Sequence, residues 1–67
     1  MADKKELTNR EVQILNLISQ GYTNSKIAGE LSISEYTVET HRKNINNKLG
    51  TNSAATLLMT AKTKGLI

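Results

Sequence analysis

The feature that most restricts the fold of this chain is a very short connection between two helical patterns near its middle. Ile27, Ala28 and Leu31 share one helical face before the connection, and residues 35–49 repeat apolar side chains at helical spacing after it. Two helices joined by so tight a turn must cross steeply, at about 90–120°. Ala28 is small enough to let the two backbones approach each other at the crossing. Ile33, inside the turn, is expected to point into the core.

Two more helices complete a predicted all-α fold. Thr8 and Glu11 have the spacing of a capping box at the start of the first helix, and Gly21 is suited to end it. The caps predicted for the other three helices are Thr23 or Asn24, then Ser34, then Ser53 or Asn52. The sequence therefore predicts a four-helix bundle that contains a helix-turn-helix, with helices at about 8–20, 24–31, 35–49 and 53–64.

Composition excludes several classes of protein. The chain has 67 residues, enough for one domain at 7–67. Residues 1–6 are interpreted as the end of a linker or as residues added at the start of the chain. The absence of Cys excludes disulfides, and one His without Cys argues against a structural zinc site. No apolar run approaches the ~20 residues that a membrane span needs, and the charged first residues do not resemble a signal peptide. We therefore expect a cytoplasmic protein that has no contact with a membrane.

Charge is distributed unevenly along the chain. Residues 1–39 carry four basic and six acidic side chains, a net charge of −2, whereas residues 40–67 carry five basic and no acidic side chains, a net charge of +5. Together the two parts account for the +3 of the whole chain. A positive half indicates a polyanionic partner, although a solvated lysine-rich tail would look the same.

The predicted third helix has two chemically different faces. On a helical wheel Val38, Ile45 and Leu49 lie together on the core side. The opposite face has amide, hydroxyl, aromatic and charged side chains and no aliphatic ones, namely Tyr36, Glu39, Thr40, Lys43, Asn44 and Asn47. A helix in the major groove meets the bases with its N-terminal half, so Glu39, Thr40 and Lys43 are the first base-reading candidates. Asn47 and Asn44 follow further along the helix. For any single residue, plain solvent exposure explains its polar side chain as well as base recognition does, so the prediction depends on the face as a whole.

Side chains that flank this face are predicted to bind DNA phosphates. Hydroxyls, amides and lysines suit phosphate oxygens, and the candidates are Thr8, Asn24, Lys26, Ser34, Thr37 and Lys48. Thr8 and Ser34 are also expected to cap helices, and one hydroxyl can do both.

The chain contains no arrangement of residues that is typical of catalysis. His41, the single histidine, has no nucleophile or carboxylate motif to serve and is expected to be half-buried on the third helix. Glu11 and Arg42 are expected to form a structural ion pair between the first and third helices. The sequence therefore predicts that the protein is not an enzyme and needs no metal or cofactor.

The order and spacing of these residues resemble the LuxR/GerE-type helix-turn-helix family over about residues 7–67. The matching positions are Leu7-Thr8, Arg10-Glu11, Ile14-Leu15, Gly21, Asn24, Ile27-Ala28, Leu31, Ile33-Ser34, Thr37-Val38, His41, Ile45 and Lys48-Leu49-Gly50. The resemblance implies that the third helix enters the major groove of double-stranded DNA, and that the fourth, with Leu57, Leu58 and Ala61, forms the contact of a homodimer. It also implies the C-terminal effector domain of a two-component response regulator, which recruits RNA polymerase and binds no small molecule in this domain. A free-standing short regulator is the alternative.

Three positions depart from the expected pattern. Ser32 stands in the turn where Gly is common, Glu39 stands where many members have Lys, and Ala54 stands where many have Arg. A Glu can accept a hydrogen bond from cytosine N4 but repels phosphate, so Glu39 changes the expected base preference. No DNA or polymerase contact is carried over to Ala54. Two other functions stay open, a protein-interaction module that uses the fourth helix and a promoter-recognition domain similar to region four of sigma factors.

Overall fold

The computed structural model describes residues 7–67, so the interpretation of residues 1–6 lies outside the described residues. Within this range the chain forms four helices, α1 (Asn9–Ser19), α2 (Asn24–Leu31), α3 (Glu35–Leu49) and α4 (Ala54–Thr63). The predicted all-α, four-helix architecture is confirmed. The bounds of α2 and α3 match the prediction, and α1 and α4 are one residue shorter at each end.

Each helix begins at a side-chain cap. The Thr8 N–H donates to Glu11 Oε1 at 2.9 Å and the Glu11 N–H donates to Thr8 Oγ1 at 3.1 Å, so the predicted capping box is present. Of the alternatives left open by the sequence, Thr23 caps α2 and Ser53 caps α4, and Ser34 caps α3 as predicted. Short-range hydrogen bonds therefore fix where all four helices start.

A single apolar core connects the four helices. Its largest fully buried side chains are Ile14, Leu15, Ile27, Val38, Ile45 and Leu57. Helix α3 packs against each of the other three helices, and α1 also packs against α2 and α4. Leu66, beyond the end of α4, is buried as well and closes the core. Because α3 is held along one side by the rest of the domain, its other side is free to meet a partner.

The turn between α2 and α3 is made by a residue in an unfavourable backbone conformation. Ser32 adopts φ 56° and ψ 43°, and it is the one non-glycine residue in 7–67 with a positive φ. This left-handed region costs a residue with a Cβ about 1–2 kcal/mol. The Ile33 N–H then donates to the Ala28 carbonyl at 3.0 Å, and the Ile33 side chain packs against the core as predicted. Helix crossing and core packing thus hold Ser32 where a glycine would be easier to place.

The structure corrects the predicted contact surface of α4. Leu57 and Ala61 are completely buried in the core, so their side chains cannot meet a second copy of the chain. Leu58 is half-buried and remains accessible. Met59, which the sequence interpretation did not select, is 70% exposed. The sequence pattern identified the apolar face of α4 correctly but assigned to a partner the side chains that the domain itself buries.

Candidate nucleic-acid interface

The two faces of α3 lie as the helical wheel predicted. Val38 and Ile45 are fully buried and Leu49 is nearly so. All six polar or aromatic residues of the opposite face are exposed, with Tyr36 at 78%. These exposed side chains are Tyr36, Glu39, Thr40, Lys43, Asn44 and Asn47, and we call this set the outer face of α3. A surface without an aliphatic side chain, on the helix that follows a tight turn, can offer donors and acceptors to a groove of nucleic acid.

An open polar groove borders the outer face. It has a volume of about 370 Å³ and connects the start of α2, the middle of α3 and the loop before α4. Its lining residues are Asn24, Glu39, Arg42, Lys43, Asn46, Asn47, Thr51 and Asn52. The groove thus brings together three of the predicted base-reading residues with Asn24, a predicted phosphate contact, whereas Thr40 is exposed outside it. We call it the polar groove below.

The hydroxyl of Thr40 is engaged within the helix. Its Oγ1 donates to the Tyr36 carbonyl oxygen at 3.1 Å, four residues earlier. Because a hydroxyl has a single proton, this Oγ1 can only accept a further hydrogen bond. The contact restricts the chemistry that Thr40 can offer to a base edge.

The predicted phosphate contacts have different local environments. Ser34 Oγ accepts from the Thr37 N–H at 3.0 Å and lies 2.9 Å from Thr37 Oγ1, so the two hydroxyls form one polar group at the start of α3. Thr8 is exposed while it caps α1. The Lys26 ammonium lies 4.5 Å from the centre of the Tyr22 ring, a cation–π contact that leaves its charge at the surface.

The ion pair of Glu11 differs from the one expected. Glu11 is only 3% exposed, and its Oε1 lies 2.7 Å from Lys48 Nζ rather than near Arg42. Burial would raise the pKa of this carboxyl, but the hydrogen bonds from Lys48 and the Thr8 N–H, together with the charges of Lys48 and His41, hold the pKa below its ordinary value. The predicted Glu11–Arg42 pair is therefore wrong, because Lys48, further along α3, reaches the carboxylate instead. The ammonium of Lys48 is neutralised by this contact, which weakens it as a phosphate contact.

Arg42 instead connects α3 to α2. Its Nη1 donates to Asn24 Oδ1 at 3.0 Å, and both side chains are half-buried at the edge of the polar groove. The sequence interpretation gave Arg42 a structural ion pair with Glu11 and did not include it in the site. The one available signal was the placement of a charged side chain on the core side of the helical wheel, where a cation needs a polar partner on a neighbouring helix.

Other kinds of site are not found in the described range. Residues 7–67 contain no group of three or more His, Cys, Asp or Glu that could hold a metal ion, and His41 is half-buried on α3. No helix within the same residues combines the length and the apolar character that a membrane crossing requires.

Comparison with known proteins agrees with this geometry. The family described as "Bacterial regulatory proteins, luxR family" (GerE) matches residues 5–61. The chain is 51% identical over 61 residues to "Uncharacterized response regulatory protein YgeK" of Escherichia coli (strain K12), covering 91% of this chain and 42% of that protein. The response regulator ChrA of a heme-sensing two-component system has a similar solved structure, with a TM-score of 0.88 and 39% identity over 91% of this chain and 30% of that one. The chain thus spans less than half the length of these two relatives, and by the family match, the sequence identity and the shared fold it belongs to the LuxR family of bacterial regulatory proteins.

Proposed function

We propose that this chain is the sequence-specific, double-stranded DNA-binding domain of a transcription regulator, with α3 in the major groove. The observation that carries the proposal is the exposed outer face of α3, rich in amides, hydroxyls and lysine and opposite a fully buried apolar face. A width of about 12 Å allows the major groove to admit one helix, and the exposed outer face of α3 is available to enter it. The relatives are response regulators, so the domain is proposed to be the C-terminal effector of such a two-component protein.

Base recognition is proposed for Glu39, Thr40, Lys43 and Asn47. Glu39 can accept from cytosine N4, and Lys43 can donate to guanine O6 or N7. Thr40 can contact a base through its methyl group or accept through its oxygen, since its proton is already donated to Tyr36. With one acceptor and one cation side by side, the domain would distinguish the two strands of a G·C pair.

Phosphate contacts are proposed for the polar groups around α3. Thr8, Asn24, Lys26, Ser34 and Thr37 are at least partly accessible and lie at or near the starts of α1, α2 and α3. Lys48 is the weakest of the predicted set, because phosphate would have to compete with the Glu11 carboxylate 2.7 Å away. Contacts of this kind fix the position of a domain on DNA without reading its sequence.

A homodimer on DNA is proposed to use the accessible surface of α4. Leu58, Met59, Lys62, Ser19 and Ile67 line a second, more apolar groove there. The substitution Met59→Glu would place a charge in this contact. It should weaken binding to DNA with two half-sites while leaving binding to a single half-site unchanged. If Met59→Glu and the wild type bind equally well to DNA with one and with two half-sites, α4 does not form the dimer contact. Recruitment of RNA polymerase is proposed for the rest of the exposed surface.

The central experiment is a fluorescence anisotropy titration with duplex DNA of random sequence at several salt concentrations. Each phosphate that is neutralised by a Lys or Arg adds about −0.9 to the slope of log K against log salt, so Lys26 alone predicts a slope of about −1 and every further cation that meets a phosphate makes it steeper. A flat response would contradict DNA binding and favour the protein-interaction function. Selection of bound sequences from a random pool then gives the preferred site and the half-site spacing.

A further inference from the structure

We propose that Arg42 is part of the DNA interface and that, together with Asn24, it forms the binding site for one backbone phosphate at the polar groove. This inference rests on the proposed function, because it names a contact of the same surface. It assigns a role in DNA binding to a residue that the sequence placed in a structural ion pair.

The hydrogen bond between the two side chains fixes which way the Asn24 amide faces. A guanidinium has five N–H donors and no acceptor, so the Asn24 atom 3.0 Å from Arg42 Nη1 must be the amide oxygen. The amide nitrogen Nδ2, with its two protons, is therefore on the side of the amide away from that bond. Arg42 acts here as a positioning residue, because it selects the one amide orientation that offers Asn24 to a partner as a donor.

A second asparagine in the same groove has its oxygen engaged in the same manner. Thr51 Oγ1 donates to Asn46 Oδ1 at 2.6 Å, which leaves the Nδ2 of Asn46 as its unused polar group. The groove is also lined by the cations Arg42 and Lys43 and by a single acid, Glu39. Two amide nitrogens and two cations favour a ligand that is anionic and only accepts hydrogen bonds, and a phosphodiester oxygen has these properties.

Arg42 also retains its own charge for such a ligand. Its partner Asn24 is neutral, and a single guanidinium N–H group is committed to it. The planar fork of Arg can hold the amide with one nitrogen and donate to phosphate with the others, which the single ammonium of a Lys cannot do with the same geometry. Arg42 is therefore both the positioning residue for Asn24 and a direct contact in the proposed site.

The first test measures the charge contribution of Arg42. Arg42→Gln and the control Lys64→Gln each remove one positive charge, but Lys64 is exposed and lies at the far end of α4, about 15 Å along the helix from the loop that lines the groove. Titrations with random-sequence duplex DNA should show the salt slope of Arg42→Gln reduced by about 0.9 and its affinity reduced about 10-fold. Lys64→Gln should keep the wild-type slope. Equal slopes for wild type and Arg42→Gln would overturn the direct contact.

The second test separates binding from stability, since Arg42→Gln also breaks a link between helices. In Asn24→Asp a carboxylate oxygen still accepts from Arg42, and a negative charge in the first turn of α2 favours the helix. The unfolding temperature should be unchanged or higher. The outward donor becomes an anionic acceptor, so DNA affinity should fall at least 10-fold. An Asn24→Asp protein that is stable and binds DNA as wild type does would show that the Arg42–Asn24 link is only structural.

The controls distinguish this inference from the function on which it rests. If the wild-type chain shows no salt-dependent binding to duplex DNA, both fail together. If the wild type binds with a steep slope and both substitutions leave binding unchanged, DNA binding stands and the phosphate site is refuted.

Discussion

Two basic residues of α3 connect it to neighbouring helices, and the two connections differ in what they leave for a ligand. Lys48 meets the carboxylate of Glu11, which is 3% exposed, so the two charges cancel at the α1–α3 contact. Arg42 meets the neutral amide of Asn24 at the edge of the polar groove, and its charge is not cancelled by that partner. The formal charge of a side chain therefore does not decide whether that charge is available to a ligand. The partner that it contacts decides this.

The largest expected effect comes from a substitution in the core, because unfolding the domain removes both connections at once. Val38 is completely buried on the core side of α3, and Val38→Asp would place an unpaired charge there. A domain with a stability of about 5 kcal/mol should not tolerate this, so the variant should be unfolded by circular dichroism. Val38→Ala is the matched control, since it removes apolar contacts without adding charge and should remain folded. A folded Val38→Asp protein would contradict the orientation of α3 and with it the assignment of its outer face.

A smaller effect should appear when the groove side alone is changed. If Lys43 reads a base, Lys43→Ala should cost about 1–3 kcal/mol on the selected site. The loss on random duplex DNA should be much smaller, and Lys64→Ala, which removes the same charge at the exposed end of α4, is the matched control. Equal losses of affinity on both DNAs would make Lys43 a phosphate contact and move base recognition to the other exposed residues.

The same comparison shows how far sequence reasoning reaches. Helix bounds and caps could be predicted because they depend on neighbours within four residues, as with Thr8 and Glu11. The outer face of α3 could be predicted because a helix has a fixed period. The partner of Glu11 could not, because Arg42 and Lys48 are both on α3 and the choice between them depends on how α1 lies across it.

The error on α4 has a related cause. Helical periodicity identifies an apolar face, but it does not say which helix of the same chain will cover it. Leu57 and Ala61 are covered by the domain itself. Met59, which lies outside the apolar repeat of α4, is the large apolar side chain of this helix that is exposed. Similarly, the positioning of Asn24 by Arg42 joins residues 18 positions apart and follows only from the crossing of α2 and α3.

Loss of the Glu11–Lys48 ion pair should lower the free energy of unfolding rather than the affinity for DNA. Lys48→Met removes the ammonium and leaves a buried carboxylate with the Thr8 N–H as its remaining hydrogen-bond donor. Because Lys48 is about one-third exposed, the loss should be about 1–2 kcal/mol, below that of a fully buried pair. Urea unfolding measures it, with Lys64→Met as the exposed control. A salt slope for DNA that falls by about 0.9 in Lys48→Met would instead identify Lys48 as a phosphate contact.

The smallest expected effect is a pH dependence that belongs to Glu11. The pKa of its carboxyl is lower in the folded chain than in the unfolded one, so the folded state favours the ionised form. Its contribution to stability is therefore present above the unfolded pKa of about 4.3 and is lost as the pH falls through the lower folded value. The unfolding temperature of the wild type should fall more steeply below pH 5 than that of Glu11→Gln, in which the titrating group is gone. Because Asn24 does not titrate, the Arg42 connection should contribute nothing to this difference. Identical pH profiles for the two proteins would mean that Lys48 and the Thr8 N–H do not stabilise the carboxylate. Lys48 could then no longer be contrasted with Arg42 as the cation of α3 whose charge is neutralised by its partner.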